Sequence, residues 1–131
     1  MIILDTHIWV RWVDPEANPL PPAILKRIAS ADQLAVSAIT CWEVAWLQRR
    51  GRLQLQPNLN EWLELALSGS GVRCIPVSRE AAMRTAQLPE HHRDPADRLI
   101  LATAIEQGAA LISLDAAFAA HHEHLKVLIQ S

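Results

Sequence analysis

Apolar residues in this chain fall into short runs, separated by stretches in which they recur at helical spacing. Ile2-Ile3-Leu4 predicts a buried strand, and residues 6–13 a helix carrying Ile8, Trp9 and Trp12. Asp14-Pro15 and the prolines from Pro19 to Pro22 mark a loop, with Pro22 suited to the first turn of a helix over 22–31. Leu34 to Ser37 predicts a second strand, and residues 39–50 a helix that stops before Gly51 at the C′ position. The clearest amphipathic helix spans 59–67, where Leu59, Trp62, Leu63, Ala66 and Leu67 share a face that Glu61 and Glu64 avoid. Ser68 to Gly71 breaks it. A third strand over Cys74 to Val77 and a helix over 79–87, capped by Ser78 and ended by Leu88-Pro89, follow. A helix over 95–107 ends at Gly108, Leu111 to Leu114 form a fourth strand, and Val127 to Ile129 a fifth.

Short apolar strands thus alternate with helices, and no strand carries the apolar–polar alternation of a half-exposed sheet. That pattern predicts an α/β fold: a central parallel sheet of four to five strands covered by helices on both faces. With 131 residues and no linker, repeat or low-complexity tract, the chain reads as a single domain over 1–131.

Four carboxylates stand where elements change over. Asp5 closes the first strand and Asp115 the fourth. Glu43 and Asp97 belong to the starts of helices. In a parallel sheet with right-handed crossovers all four fall at one edge, outside the carboxyl ends of the strands, where such folds bind ligands. Acids gathered without a fixed cation repel one another and call for a metal ion. Each also has a local explanation. Asp94-Pro95-Ala96-Asp97 reads as N-cap, N1, N2 and N3, so Asp94 suits a cap and Asp97 the positive helix end. Thr40-Cys41-Trp42-Glu43 fits a capping box, although Ser37 is an equally good cap that leaves Glu43 a turn further in. Asp5 can cap the helix at Thr6, and Asp115 a turn over 116–121. Independent capping does not explain why all four fall on one edge.

Bulk composition permits this chemistry. Half the residues are hydrophobic and a fifth charged, as in soluble globular proteins. No apolar run approaches the ~20 residues needed to span a bilayer, and no basic region precedes the apolar start, so neither a membrane segment nor a signal peptide is expected. Cys41 and Cys74 make no disulfide framework, which fits a reducing cytoplasm. The net charge of −2 becomes +2 once the four acids are set aside. Arginines outnumber lysines ten to two. Arg49, Arg50 and Arg52 form a cluster that is either a phosphate patch or a solvated helix end.

Competing chemistry is poorly represented. His91 and His92 precede Asp94, and His121, His122 and His124 flank Glu123, but none has the His-Glu-x-x-His spacing of a zinc helix. His7, two residues after Asp5, reads as a surface or half-buried histidine, with a substrate contact as the alternative. No Gly-rich phosphate loop, nucleophile elbow or dinucleotide fingerprint occurs. Five tryptophans, Trp9, Trp12, Trp42, Trp46 and Trp62, are expected mainly in the core, some lining a partner groove or dimer contact.

These residues carry a resemblance. Leu4-Asp5-Thr6-His7, Val36-Ser37-Ala38-Ile39-Thr40 followed by Trp42-Glu43, the segment His92-Arg93-Asp94-Pro95-Ala96-Asp97-Arg98-Leu99-Ile100, and Leu114-Asp115 stand in the order found in PIN-domain ribonucleases. The chain resembles in particular the toxin half of VapBC-type toxin–antitoxin pairs, over its whole length. The resemblance implies an α/β/α sandwich and makes Asp5, Glu43, Asp97 and Asp115 the metal-binding and catalytic acids. Thr6, Asp94, Arg98 and Ser113 become outer-shell or substrate-contacting groups, Ser113 replacing the threonine of many members. It further implies an RNA substrate, a cognate antitoxin protein that holds the enzyme inactive, and a homodimer.

An all-oxygen site suits Mg2+ or Mn2+. Asp5 and Asp97 would hold the principal ion with Asp115 nearby, and Glu43 would hold a second ion or orient water. Two alternatives stand beside this expectation. One is a PIN-like nuclease acting on DNA. The other is a non-catalytic protein-binding module that uses its Trp-rich helices.

Overall fold

The computed structural model describes residues 1–16, 18–56, 58–89, 94–119 and 127–130. His91, His92, Arg93, His121, His122, Glu123 and His124 lie outside the described residues. The elements run β1 (Ile2–Leu4), α1 (Thr6–Val13), α2 (Pro22–Ala29), β2 (Leu34–Ser37), α3 (Ala38–Arg49), α4 (Leu59–Ala66), a 3-10 turn at Ser68–Ser70, β3 (Val72–Ile75), α5 (Arg79–Gln87), α6 (Pro95–Gln107), β4 (Ala110–Ile112) and β5 (Val127–Ile129).

All four strand pairings are parallel, in the order β3-β2-β1-β4-β5. Consecutive side chains on a strand point to opposite faces, and each face has its own core. Ile2, Leu4 and Val36 pack on one side with Ile8, Trp9, Ile24, Trp62 and Ala66. Ile3, Ala35 and Leu111 pack on the other with Ile100, Leu101, Ala104 and Phe118. The three layers expected from the sequence are therefore present. Helix α3 bridges them at one end, with Val44 in the first core and Ile39 bordering the second.

The helix ends follow local chemistry. Asp5, Ser37, Asn58, Ser78 and Asp94 each accept a hydrogen bond from a backbone N–H of the helix they precede. Ser37 thus caps α3, and Thr40 is released for another role. Gly51 and Gly108 adopt φ of +72° and +58° just past α3 and α6, a conformation that costs other residues energy.

Two strands differ from the sequence expectation. β3 begins at Val72 and ends before Pro76, because Val72 pairs with Leu34 and a proline donates nothing to a ladder. Its Arg73 and Cys74 are exposed, as an edge strand allows. β4 starts at Ala110, aligned with Ile2, and ends at Ile112. The chain leaves the ladder at Ser113, whose hydroxyl accepts a 3.0 Å hydrogen bond from the Asp115 N–H.

Three tryptophans serve the interior. Trp9 and Trp62 meet edge to face at 4.9 Å, the Trp9 ring N–H donates to the Ala66 carbonyl at 2.9 Å, and Trp12 packs against the same core. Trp42 and Trp46 are exposed. Cys41 and Cys74 are both free thiols with sulfurs 3.9 Å apart, and burial pushes the Cys41 thiol up to about 12. Among the described residues no helix is long and apolar enough to cross a membrane.

Candidate active site

The strand order reverses around β1, whose neighbours β2 and β4 begin opposite windings of the sheet. Ligands in parallel α/β sheets bind at such a point, outside the carboxyl ends of the strands. Asp5 follows β1 directly and is only 4% exposed. Its carboxylate accepts the Ile8 N–H at 2.9 Å, and its own N–H donates to the Ile112 carbonyl at 3.1 Å, which locks it to the end of β4.

Ser113 is fully buried, and its hydroxyl lowers the pKa of Asp5. The same hydroxyl accepts the Asp115 N–H, so one side chain acts on both acids. Asp115 is exposed; one of its carboxylate oxygens accepts the Ala117 N–H at 2.9 Å, so it caps a short 3-10 turn over 116–119. Burial raises the Asp5 pKa above its ordinary 3.8, the negative charge of Asp115 adds to the rise, and the bonds from Ser113 and Ile8 with the charge of His7 oppose it.

A second pair of elements supplies the other acids. Glu43 lies in α3 and accepts a 2.6 Å hydrogen bond from the Thr6 hydroxyl at the start of α1. Thr6 has a single hydroxyl proton, and a carboxylate only accepts. Thr6 therefore donates to Glu43, and its oxygen, 3.2 Å from that of Thr40, accepts from Thr40. Burial raises the Glu43 pKa above 4.5, Thr6 opposes the rise, and the negative charges of Asp97 and Asp94 add to it.

Asp94 caps α6, accepting the Asp97 N–H at 3.1 Å, so Asp97 occupies N3, half-buried, and its negative charge acts on Glu43. Asp5 thus shares its field with Asp115, Glu43 shares its own with Asp97 and Asp94, and His7 acts as a positive group on both Asp5 and Glu43. Arg98 reaches elsewhere. Its guanidinium donates to the carbonyls of Pro89 at 2.8 Å, Leu88 at 2.9 Å and Thr85, tying the end of α5 to the start of α6.

The donors are of the right kind for a hard divalent cation: carboxylate oxygens, two of them desolvated by burial. Among the described residues no three His, Cys, Asp or Glu side chains converge tightly enough to enclose an ion by themselves.

Beside the acids runs a groove of about 420 Å³ between α3 and the start of α6, lined by Ile39, Trp42, Glu43, Trp46, Leu47, Asp94, Pro95, Ala96 and Leu99. The sequence singled out its tryptophans as possible partner contacts without placing them against Pro95 and Leu99. Thr40 was weighed in the sequence only as a cap. Its buried hydroxyl contact with Thr6 depends on how α1 and α3 pack, which no local signal carries.

A five-stranded parallel sheet with a buried aspartate, Asp5, at its switch point and helices on both faces has the architecture of the PIN type of α/β domain. The chain matches the PIN domain family over residues 2–123 and belongs to that family. It is 36% identical to Ribonuclease VapC22 of Mycobacterium tuberculosis over 129 residues, covering 98% of this chain and 97% of that one. Among solved structures, VapBC2 from Rickettsia felis, bound to a DNA fragment from its promoter, shares the fold at a TM-score of 0.70 and 21% identity, with 98% of this chain and 97% of that chain covered. FitAcB from Neisseria gonorrhoeae does so at 0.65 and 22%, covering 98% and 96%.

Proposed function

We propose that this chain is a divalent-metal-dependent endoribonuclease, working as a single PIN domain and as the toxin of a toxin–antitoxin pair in the cytoplasm. The observation that supports the reading is a pair of carboxylates whose pKa is raised by burial, Asp5 at the switch point with Asp115 acting on it and Glu43 on α3 with Asp97 and Asp94 acting on it. Family membership and the 36% identity to a named ribonuclease support RNA as the substrate. A toxin–antitoxin complex from Klebsiella pneumoniae, which shares the fold at a TM-score of 0.65 and 24% identity over 91% of each chain, supports a cognate antitoxin as partner. A homodimer completes the proposal.

Asp5 and Asp97 would hold the ion, Mg2+ or Mn2+, with Asp115 adding negative charge from the β4 side. Bound there, the ion supplies a water of lowered pKa and a counter-charge for the scissile phosphate. Ser113 fixes the Asp5 carboxylate, and Thr6 fixes Glu43, so each acid keeps its direction without having to neutralise its neighbour. Glu43, whose pKa burial raises, orients the attacking water or accepts its proton. Asp94 holds the first turn of α6, and Arg98 its loop, so that Asp97 stays at N3. The chain needs no side-chain nucleophile.

Asp5→Asn and Asp97→Asn should fold normally, bind Mn2+ weakly by calorimetry, and lose cleavage of single-stranded RNA in Mg2+ or Mn2+. Wild-type cleavage rates in both variants would overturn the site, and cleavage of DNA in place of RNA would move the substrate to the other nucleic acid.

A further inference from the structure

The turn from β2 into α3 folds one cysteine back over the edge of the sheet. Val36 of β2 stands beside Cys74 of β3 in the parallel register, and Ser37, paired with Ile75, caps α3. Cys41 comes one helical turn after Ser37. Its sulfur lies 3.9 Å from that of Cys74, and both thiols are free. Cys74 is exposed on an edge strand, whereas Cys41 is half-buried against the core that holds Leu4 and Val36. Packing accounts for Cys41, but not for a second thiol on the open side of an edge strand. Two thiols in contact, one facing solvent and one behind it, have the layout of an attacking and a resolving cysteine.

The pair also adjoins the site through the chain. Cys41 follows Thr40 directly and precedes Glu43 by two residues. The Thr6 hydroxyl of α1 lies 3.2 Å from that of Thr40 and donates to Glu43 at 2.6 Å. A disulfide requires the two sulfurs to close to about 2.05 Å. β3 is paired to β2 along its whole length, from Val72 to Ile75. The approach therefore draws on the start of α3, which carries Thr40 and Glu43. A shift of about 1 Å there takes the Thr6–Glu43 contact out of hydrogen-bonding range.

We propose that Cys41 and Cys74 form a reversible dithiol–disulfide site, oxidised by a peroxide, that lowers cleavage by drawing the start of α3 towards β3 and away from Thr6. The covalent bond is independent of what the enzyme cuts, and its effect on cleavage rests on the ribonuclease reading above. The exposed Cys74 thiolate attacks one oxygen of hydrogen peroxide. The O–O bond breaks, and the hydroxide that leaves takes up the proton the thiol released, giving water and a sulfenic acid on Cys74. Cys41 then loses its proton and attacks the Cys74 sulfur. The S–O bond breaks, and the departing hydroxide takes that proton as a second water. Two thiols have given up two electrons, and one peroxide has become two waters. A thiol reductant reverses the bond by exchange. In a reducing compartment the pair stays a dithiol until the oxidant arrives.

The test treats the full-length protein with hydrogen peroxide in EDTA, removes the peroxide, and then assays cleavage of single-stranded RNA in Mn2+. The oxidised protein should lose two hydrogens in intact mass and run as a single chain on a non-reducing denaturing gel. Digestion without reductant should yield one linked pair of peptides, containing Cys41 and Cys74. Its thermal midpoint should rise, and its cleavage rate should drop roughly tenfold or more. Dithiothreitol should reverse both. Cys74→Ser should cut RNA as the reduced wild type does and show neither the mass loss nor the drop in rate, with Cys74→Ala as the second variant should the first fold poorly. Oxidation of the exposed Met83 adds oxygen and resists dithiothreitol, so mass and reversal set it apart. The inference is overturned if peroxide produces only oxygen adducts or bonds between chains. It is equally overturned if the linked protein cuts RNA as fast as the reduced one. If the reduced wild type cuts no RNA, the ribonuclease reading falls, and the linked peptides still decide whether the disulfide forms.

Discussion

The Thr6 hydroxyl reaches across 37 positions of sequence to donate a 2.6 Å hydrogen bond to Glu43. It joins the first turn of α1 to the middle of α3, and so joins the strand that carries Asp5 to the helix that carries Glu43. Thr40 backs it with its own hydroxyl, which makes a buried chain Thr40–Thr6–Glu43.

Replacing Thr6 by valine keeps the shape and deletes the donor. Thr40 then loses its acceptor and Glu43 its guide. We expect a loss of about 1–3 kcal/mol in unfolding free energy and roughly a 10–100-fold drop in RNA cleavage, with Thr6→Ser close to wild type. Urea unfolding and single-turnover cleavage read the two effects separately. Unchanged cleavage in the valine variant would remove Thr6 from the site.

The raised pKa values set a pH dependence for the metal-free protein. A carboxyl whose folded pKa exceeds its unfolded value holds its proton more tightly when folded. Its stabilising contribution is complete below the unfolded values, near 3.8 for Asp5 and 4.5 for Glu43, and is lost as pH rises through the raised values. In EDTA the urea midpoint should therefore fall as pH is raised from the acid range towards neutrality, and Asp5→Asn and Glu43→Gln should each flatten that slope. Mn2+ at neutral pH should restore stability to the wild type by mass action, and little to Asp5→Asn. An equal response of the two proteins to Mn2+ would contradict Asp5 as a ligand.

Asp94 and Asp97 should separate cleanly. Asp94→Ala removes the cap of α6 and should lower stability by ~0.5–2 kcal/mol, which Asp94→Ser recovers because serine caps as well. Asp97→Asn should leave stability nearly unchanged and abolish cleavage. Thermal melts run beside cleavage assays distinguish the two patterns, and a reversal of them would exchange the roles.

Arg98 holds three carbonyls at the end of α5. Those carbonyls have no helical partner of their own, so Arg98→Ala leaves them short of donors. We expect a loss of about 1.5–3 kcal/mol by chemical denaturation and faster amide exchange around Leu88. Arg98→Lys should recover part of this, since an ammonium cannot span the carbonyls with a planar fork. A variant as stable as wild type would assign Arg98 to substrate instead.

Three of the candidate acids were marked by local position before any fold was known, Asp5 and Asp115 at the ends of apolar runs and Asp97 in the first turn after a cap, whereas Glu43 lies a turn further into α3. Their partition was not. Asp5 falls with Asp115 through Ser113, and Glu43 falls with Asp97 and Asp94 through the packing of α3 on α6. Arg98 illustrates the same limit. The resemblance implied an outer-shell or substrate contact for it, and the fold adds a role no local signal carries, the tie of its guanidinium to the carbonyls of Thr85, Leu88 and Pro89.

The chain by itself determined the elements and most of their ends. Periodicity, prolines, glycines and capping side chains act within about four residues, so their signals survive in the linear order. The parallel α/β/α architecture also followed, since uniformly apolar strands between helices have few other ways to be buried on both faces. Tertiary structure decided the rest. It shifted β3 to Val72–Ile75 through its register with β2, chose Ser37 over Thr40 as the cap of α3, and joined Thr6 to Glu43 and Ser113 to Asp5. Those pairings depend on which strands lie side by side and in what register, and the contacts that set this are spread over both cores rather than written at either partner.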